Sequence, residues 1–102
     1  MFALEAAVWI MVALADGAKH GYAIMKDIEG LGGFSMRPGT LYAALARMER
    51  AGLVQEIQNS DYRRRPFKLT PAGTIRLSDD MHLLSSLAST GLRRIKQRNR
   101  PK

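Results

Sequence analysis

One helix in this chain has both of its ends written into the sequence, and it constrains the fold more than any other segment. The run is Pro38-Gly39-Thr40-Leu41-Tyr42-Ala43-Ala44-Leu45-Ala46-Arg47-Met48-Glu49-Arg50-Ala51-Gly52-Leu53-Val54. Proline suits the first helical position, where its missing N–H would have no partner in any case. Leu41, Leu45 and Met48 follow at i, i+4 and i+7, which makes a core-facing stripe. Gly52 can take the left-handed conformation that ends a helix. The other face carries Thr40, Ala43, Ala44, Arg47 and Arg50. Small residues at the leading edge, with arginines behind them, let such a helix lie in a DNA groove without steric conflict.

The distribution of charge fits that reading. The chain of 102 residues has a formal net charge of +7. Residues 1–36 carry two basic and four acidic side chains. Residues 37–76 carry eight basic against three acidic, and residues 77–102 six against two. The positive excess therefore sits on the later segments, as expected if particular surfaces meet a polyanion. A domain of this size buries only a modest core, so sharing one with a second subunit is in keeping with its length.

Several functions are excluded or disfavoured. The chain has no cysteine, which removes disulfides, thiolate metal sites and cysteine nucleophiles and fits a reducing cytoplasm. The apolar run from Ala6 to Ala15 is too short to span a bilayer. Glu5 and the lack of leading positive charge argue against a signal peptide. His20 and His82 are far apart in sequence, so no metal site is expected. No nucleophile–base set, Walker motif or dinucleotide-binding motif is present, and neither enzymatic activity nor a cofactor is expected.

The rest of the chain places the central helix in order. Leu4 to Ala15 is apolar nearly all round, which predicts a helix buried between subunits or beneath another helix. Asp16-Gly17-Ala18-Lys19 reads as a turn. A second helix is expected from about His20 to Leu31, broken by Gly30, Gly32 and Gly33. Two helices, a break and a third with a small and basic face form a helix-turn-helix layout. Val54 to Gln58 and Arg65 to Leu69 flank the turn residues Asn59-Ser60-Asp61, which predicts a hairpin with a basic return strand. Thr70 is the expected N-cap of a last helix and Pro71 its first residue. Leu77, Met81, Leu84, Ala88 and Ile95 form a seam along that helix, widened by Leu83 and Leu87. The expected class is mainly α with a small β-hairpin. The expected parts are a winged helix-turn-helix unit over 1–70 with its wing at about 54–69, a helix over 71–97, and a basic tail over 98–102.

Three stretches carry a family resemblance. His20-Gly21-Tyr22-Ala23-Ile24, the run from Pro38 to Val54, and Arg63-Arg64-Arg65-Pro66-Phe67-Lys68-Leu69-Thr70-Pro71-Ala72-Gly73 occur in the order and spacing of the PadR family of bacterial transcriptional regulators. Together they cover about residues 3 to 75. The chain resembles the short subfamily, with one C-terminal helix. The resemblance implies a homodimeric winged helix-turn-helix repressor on a palindromic operator in double-stranded DNA, with dimerisation through the helix after the wing and the first helix. Leu4, Val8 and Met11, with Leu77, Met81, Leu84, Leu87, Ala88 and Ile95, are then the candidate dimer contacts. There are departures from the family pattern. Arg37 stands where a serine usually caps the recognition helix, so Arg37 reaches a phosphate or Ser35 caps from a shifted register. Phe67-Lys68 replaces an aromatic pair. The chain's only tryptophan is Trp9, so a ligand mode built on C-terminal tryptophans does not carry over.

Candidate DNA contacts are Tyr22, Arg37, Gly39, Thr40, Tyr42, Arg47, Arg63, Arg64, Arg65 and Lys68. Thr40 stands where side chains first meet the groove, and its methyl suits thymine. Tyr42 either contacts the backbone or packs on helix two. Arg47 reaches guanine or a flanking phosphate, or is simply solvated. The wing arginines suit the minor groove or adjacent phosphates. Trp9, Met81 and Leu84 are candidate contacts for a small aromatic effector, although a Met and Leu stripe more often fills a core than lines a pocket. A protein-interaction module without specific DNA binding is the alternative function. A basic membrane-surface protein is disfavoured because the basic residues cluster after the leucines of the last helix.

Overall fold

The structure, a computed structural model, describes residues 4–32, 34–58 and 65–99. Arg63 and Arg64, the expected wing turn at 59–61 and the last residues of the basic tail lie outside that set. Four helices and three short strands follow in the order α1 (Ala6–Leu14), β1 (Lys19–His20), α2 (Gly21–Gly32), α3 (Pro38–Arg50), β2 (Val54–Glu56), β3 (Pro66–Leu69) and α4 (Pro71–Arg98).

The all-round apolarity of α1 has a direct structural meaning. Ile10, Met11, Ala13 and Leu14 are buried, and the helix touches α2, α3, α4 and β3. It is the central rod of the fold, and the elements around it take up its apolar faces. Ile24 and Ile28 of α2 and Leu41, Ala44, Leu45 and Met48 of α3 complete the core, closed by Val54, Phe67 and Leu77.

The ends of α3 form as the sequence predicts. Pro38 occupies the first turn. At the other end Gly52 has φ +77°. Its N–H donates to the Glu49 carbonyl at 3.0 Å, and the Leu53 N–H donates to the Met48 carbonyl at 2.9 Å. These two bonds are the Schellman arrangement, which satisfies carbonyls that a helix end otherwise leaves open.

Strand β1 is not visible in the sequence. The expected turn at residues 16–19 leads into a two-residue strand, so the wing is a three-stranded antiparallel sheet in the order β1-β3-β2 and not a bare hairpin. Lys19 pairs with Phe67 and His20 with Pro66, while Val54, Gln55 and Glu56 pair with Leu69, Lys68 and Phe67. Because β1 takes His20, α2 starts one residue later than expected. The His20 Nδ1 then accepts the Ala23 N–H at 3.4 Å, a side-chain cap on the α2 start. Lys19 fastens the same corner. Its ammonium donates to the Ala13 carbonyl and pairs with Asp16, and it lies 3.4 Å from Asp27.

The junction from wing to α4 depends on a threonine and a glycine. The Thr70 Oγ1 accepts the Gly73 N–H at 3.0 Å, and the Thr70 N–H donates to the Leu53 carbonyl at 3.1 Å. A Cβ on Gly73 would stand 2.0 Å from that same Leu53 oxygen. The threonine therefore caps α4, and the glycine lets the helix start press onto the loop after α3.

The 28 residues of α4 span roughly 42 Å. Only its first turns are covered: Gly73 and Leu77 are buried, whereas Leu83, Leu87, Leu92 and Ile95 are 60–70 % exposed. The molecule measures 67 × 27 × 20 Å, with a radius of gyration of 16.6 Å. A compact chain of this length would have about 13 Å. Much of α4 therefore projects beyond the rest of the fold.

Candidate nucleic-acid interface

The core stripe of α3 turns its other face outward. Gly39, Thr40, Tyr42, Ala43, Arg47 and Arg50 are all exposed. Ala44 is a correction to the expected outer face: at 1 % exposure it belongs to the core stripe, at i+3 from Leu41. A small side chain fits either face, so its size did not decide the matter.

The start of α3 carries no serine-like cap. Arg37 holds the N-cap position in extended conformation, and its side chain makes no capping bond. The helix begins at Pro38, so no shifted register brings in Ser35 as the cap. Arg37 itself is exposed beside this open helix start. Backbone N–H groups in the first turn of such a helix favour anions.

Tyr42 packs on the second helix, one of the two readings the sequence left open. Its hydroxyl end lies against Gly21 at the start of α2, where an added Cβ would come within 2.2 Å of the oxygen. Half of the side chain is nevertheless exposed. The glycine of the Gly-Tyr pair at the α2 start is thus explained by the tyrosine of α3. Tyr22, the partner in that pair, is 63 % exposed, with the Lys26 ammonium 5.8 Å from its ring centre.

Tyr22, Tyr42 and Pro38 line a groove of 640 Å³ whose far wall is the wing, contributed by Glu56, Arg65 and Phe67. The Arg65 Nε lies 3.2 Å from the Glu56 Oε1. Lys68 is exposed on β3, opposite Gln55. The structure therefore brings Tyr22, Tyr42 and Arg65 around one groove. Gly39, Thr40 and Arg47 lie on the outer face of α3, and Lys68 on the outer side of the sheet. Sequence reasoning missed Glu56, because nothing in a hairpin's residue pattern shows which acid will face which arginine.

The candidate dimer contacts divide in two. Met11 and Leu77, at 2 % and 8 % exposure, are core residues of the single chain. Leu4, Val8, Met81 and Leu84 are half-buried, and Leu87, Ala88 and Ile95 are exposed. Leu92, which the expected seam omitted, is exposed beside them. Trp9 packs edge-on against Phe34, with ring centres 5.1 Å apart, and covers Gly32. A recess of 220 Å³ beside it is lined by Leu4, Phe34, Met36, Arg37 and Thr40, but not by Met81 or Leu84. Among the described residues, no group of acidic or histidine side chains could hold a metal ion, and no helix is long and apolar enough to cross a membrane.

Comparison with known proteins agrees with this geometry. A protein encoded in transposon TN4556 of Streptomyces fradiae, described only as an uncharacterized 37.1 kDa protein, is 44 % identical over 84 residues; they cover 82 % of this chain but 24 % of that one. The chain therefore spans about a quarter of that relative's length. The transcriptional regulator Rv3488 of Mycobacterium tuberculosis is 40 % identical over 76 residues, covering 72 % of this chain and 70 % of its own. The crystal structure of a PadR family transcription regulator from Clostridium difficile superposes with a TM-score of 0.76 at 24 % identity, over 87 % of this chain and 96 % of that one, and so shares the fold. Residues 10–79, from the middle of α1 to the early turns of α4, match the transcriptional regulator PadR-like family, and the chain belongs to that family.

Proposed function

We propose that the protein is a sequence-specific DNA-binding repressor that acts as a homodimer in the cytoplasm. The observation that carries the reading is the outer face of α3. A buried stripe of Leu41, Ala44, Leu45 and Met48 fixes the helix, and Gly39, Thr40 and Arg47 are left exposed with no bulky apolar residue at the leading edge. In this reading α3 enters the major groove, with Thr40 first and Arg47 two turns on. Tyr22 and Tyr42 offer hydroxyls to phosphates, and Lys68 and the wing arginines follow the flanking backbone.

A homodimer is supported by the distal half of α4, whose leucines and isoleucine are mostly exposed. Two-fold pairing there sets two α3 helices against a palindromic operator, with half-sites about 34 Å apart or at a related spacing. Relief by a small aromatic molecule is supported by the recess beside Trp9, since Arg37 and Thr40 share its wall and an occupant would be felt at the leading edge of α3. Trp9 is the only tryptophan, so a change in its emission reads occupancy directly.

The test is an electrophoretic shift assay at defined salt, with the DNA upstream of the protein's own gene and a random-sequence duplex as competitor. Retarded upstream DNA that survives the competitor is expected. Equal competition would leave only non-specific binding, and no shift would favour a protein-interaction module. Replacing Arg63, Arg64 and Arg65 with alanine should flatten the log–log salt dependence, by about 0.9 for each lost phosphate contact. An unchanged slope would remove the wing from the interface.

A further inference from the structure

Among the described residues that line the groove between the helix starts and the wing, Glu56 is the acidic one. A carboxylate has the wrong sign for a surface that meets phosphates. Glu56 is also held in place. Its backbone N–H donates to the Glu49 Oε2 at 3.0 Å, which ties the main chain it projects from to the last turn of α3. Its own Oε1 lies 3.2 Å from the Arg65 Nε, across the wing. The groove thus contains a wing arginine whose charge is already matched by a residue on the neighbouring strand.

Sequence-independent DNA binding is almost entirely the neutralisation of phosphates with release of counterions. An arginine paired with a carboxylate contributes little to that effect until the pair opens. The pair here is partly solvated, with side chains 57 % and 30 % exposed for Arg65 and Glu56, so it is weak enough to exchange for a phosphate in a well-docked complex. We infer that Glu56 withholds Arg65 from loosely docked DNA and so restrains binding that does not depend on base contacts. The inference rests on the DNA-binding reading above. Glu49 is the positioning residue that fixes where Glu56 stands.

The experiment measures binding of a random-sequence duplex to the 102-residue protein over a salt series. Glu56→Gln keeps the shape of the side chain and removes its charge. It should tighten binding about three- to tenfold at low salt and steepen the salt slope by up to about 0.9, the equivalent of one phosphate contact. In an Arg65→Ala background the same change should give a clearly smaller gain. Asp79→Asn, on the exposed side of α4, removes the same charge elsewhere and should give no comparable gain. Thermal melts matching the wild type show that each variant is folded. Unchanged or weaker binding by Glu56→Gln would overturn the inference alone. So would an equal gain with and without Arg65, or an equal gain from Asp79→Asn. Failure of the wild type to bind any duplex would remove the DNA-binding reading and the inference together.

Discussion

The winged part of the molecule and the distal half of α4 use apolar residues in opposite ways. Around α1 the core side chains of several elements pack on one another, and Ile10, Ile24, Ile28 and Leu41 are fully buried. Along α4 beyond Leu84 the same residue types recur but stay largely open to solvent: Leu87, Leu92 and Ile95 are each at least 60 % exposed. The difference shows that a seam pattern does not say where the other side of the seam is. Leu77 is a candidate for a dimer contact on the same seam as Leu87 and Ile95, yet it faces inward and they face outward.

The comparison breaks if core substitutions are tolerated. Leu45→Ala should cost about 2–5 kcal/mol in chemical denaturation, because Leu45 is 1 % exposed and its loss leaves a cavity. Gly73→Ala should cost about 1–3 kcal/mol, since the new methyl meets the Leu53 carbonyl and the α4 start must shift. On the other side of the comparison, the double variant Leu87→Glu with Ile95→Glu should change the intrinsic stability of the protomer by no more than about 0.5 kcal/mol. It should nevertheless convert a dimer into a monomer in analytical ultracentrifugation. A dimer that persists would move the interface off the distal half of α4.

The smallest effect sharpens the picture at the α1–β1 corner. The hydrogen bond and charge of Lys19 hold the Asp16 carboxyl below its ordinary value. Burial pulls the Lys19 ammonium down, but its pairing with Asp16 and Asp27 outweighs this and leaves it above the ordinary lysine value. A carboxyl with a lowered folded-state value stabilises the fold above the unfolded-state value and loses that contribution as pH falls through the folded one. Asp16→Asn should therefore be slightly less stable than the wild type at neutral pH, and the gap should close below about pH 4. For Lys19 the raised value means a contribution present at neutral pH and lost only in strong alkali. Thermal melts of both proteins across acid pH check the first expectation.

Features decided within a few residues were legible in the sequence. The start of α3 at Pro38, its end at Gly52 and the Thr70 cap on α4 are local agreements between a side chain and the backbone beside it. Features decided by a distant partner were not. Strand β1 exists only because Phe67 and Pro66 offer an edge to Lys19 and His20. Ala44 went inward because α1, α2 and β2 all pack against α3, and not because of its own chemistry. The Gly21–Tyr42 contact and the Glu56–Arg65 pair depend on how two elements meet, which spacing along one element does not carry. For the candidate site, residue types and their order were therefore readable, while the groove and the acid within it were not.

In the proposed docking, the leading edge of α3 reads bases while the tyrosines and the wing hold the backbone. The most direct test compares wild type and Thr40→Ala on the upstream DNA and on a random duplex across a salt series. The ratio of specific to non-specific affinity should fall on the order of tenfold while both salt slopes stay unchanged. An unchanged ratio, or equal loss on both duplexes with a shallower slope, would contradict base reading at Thr40 and assign that residue to the phosphate backbone or to no contact at all.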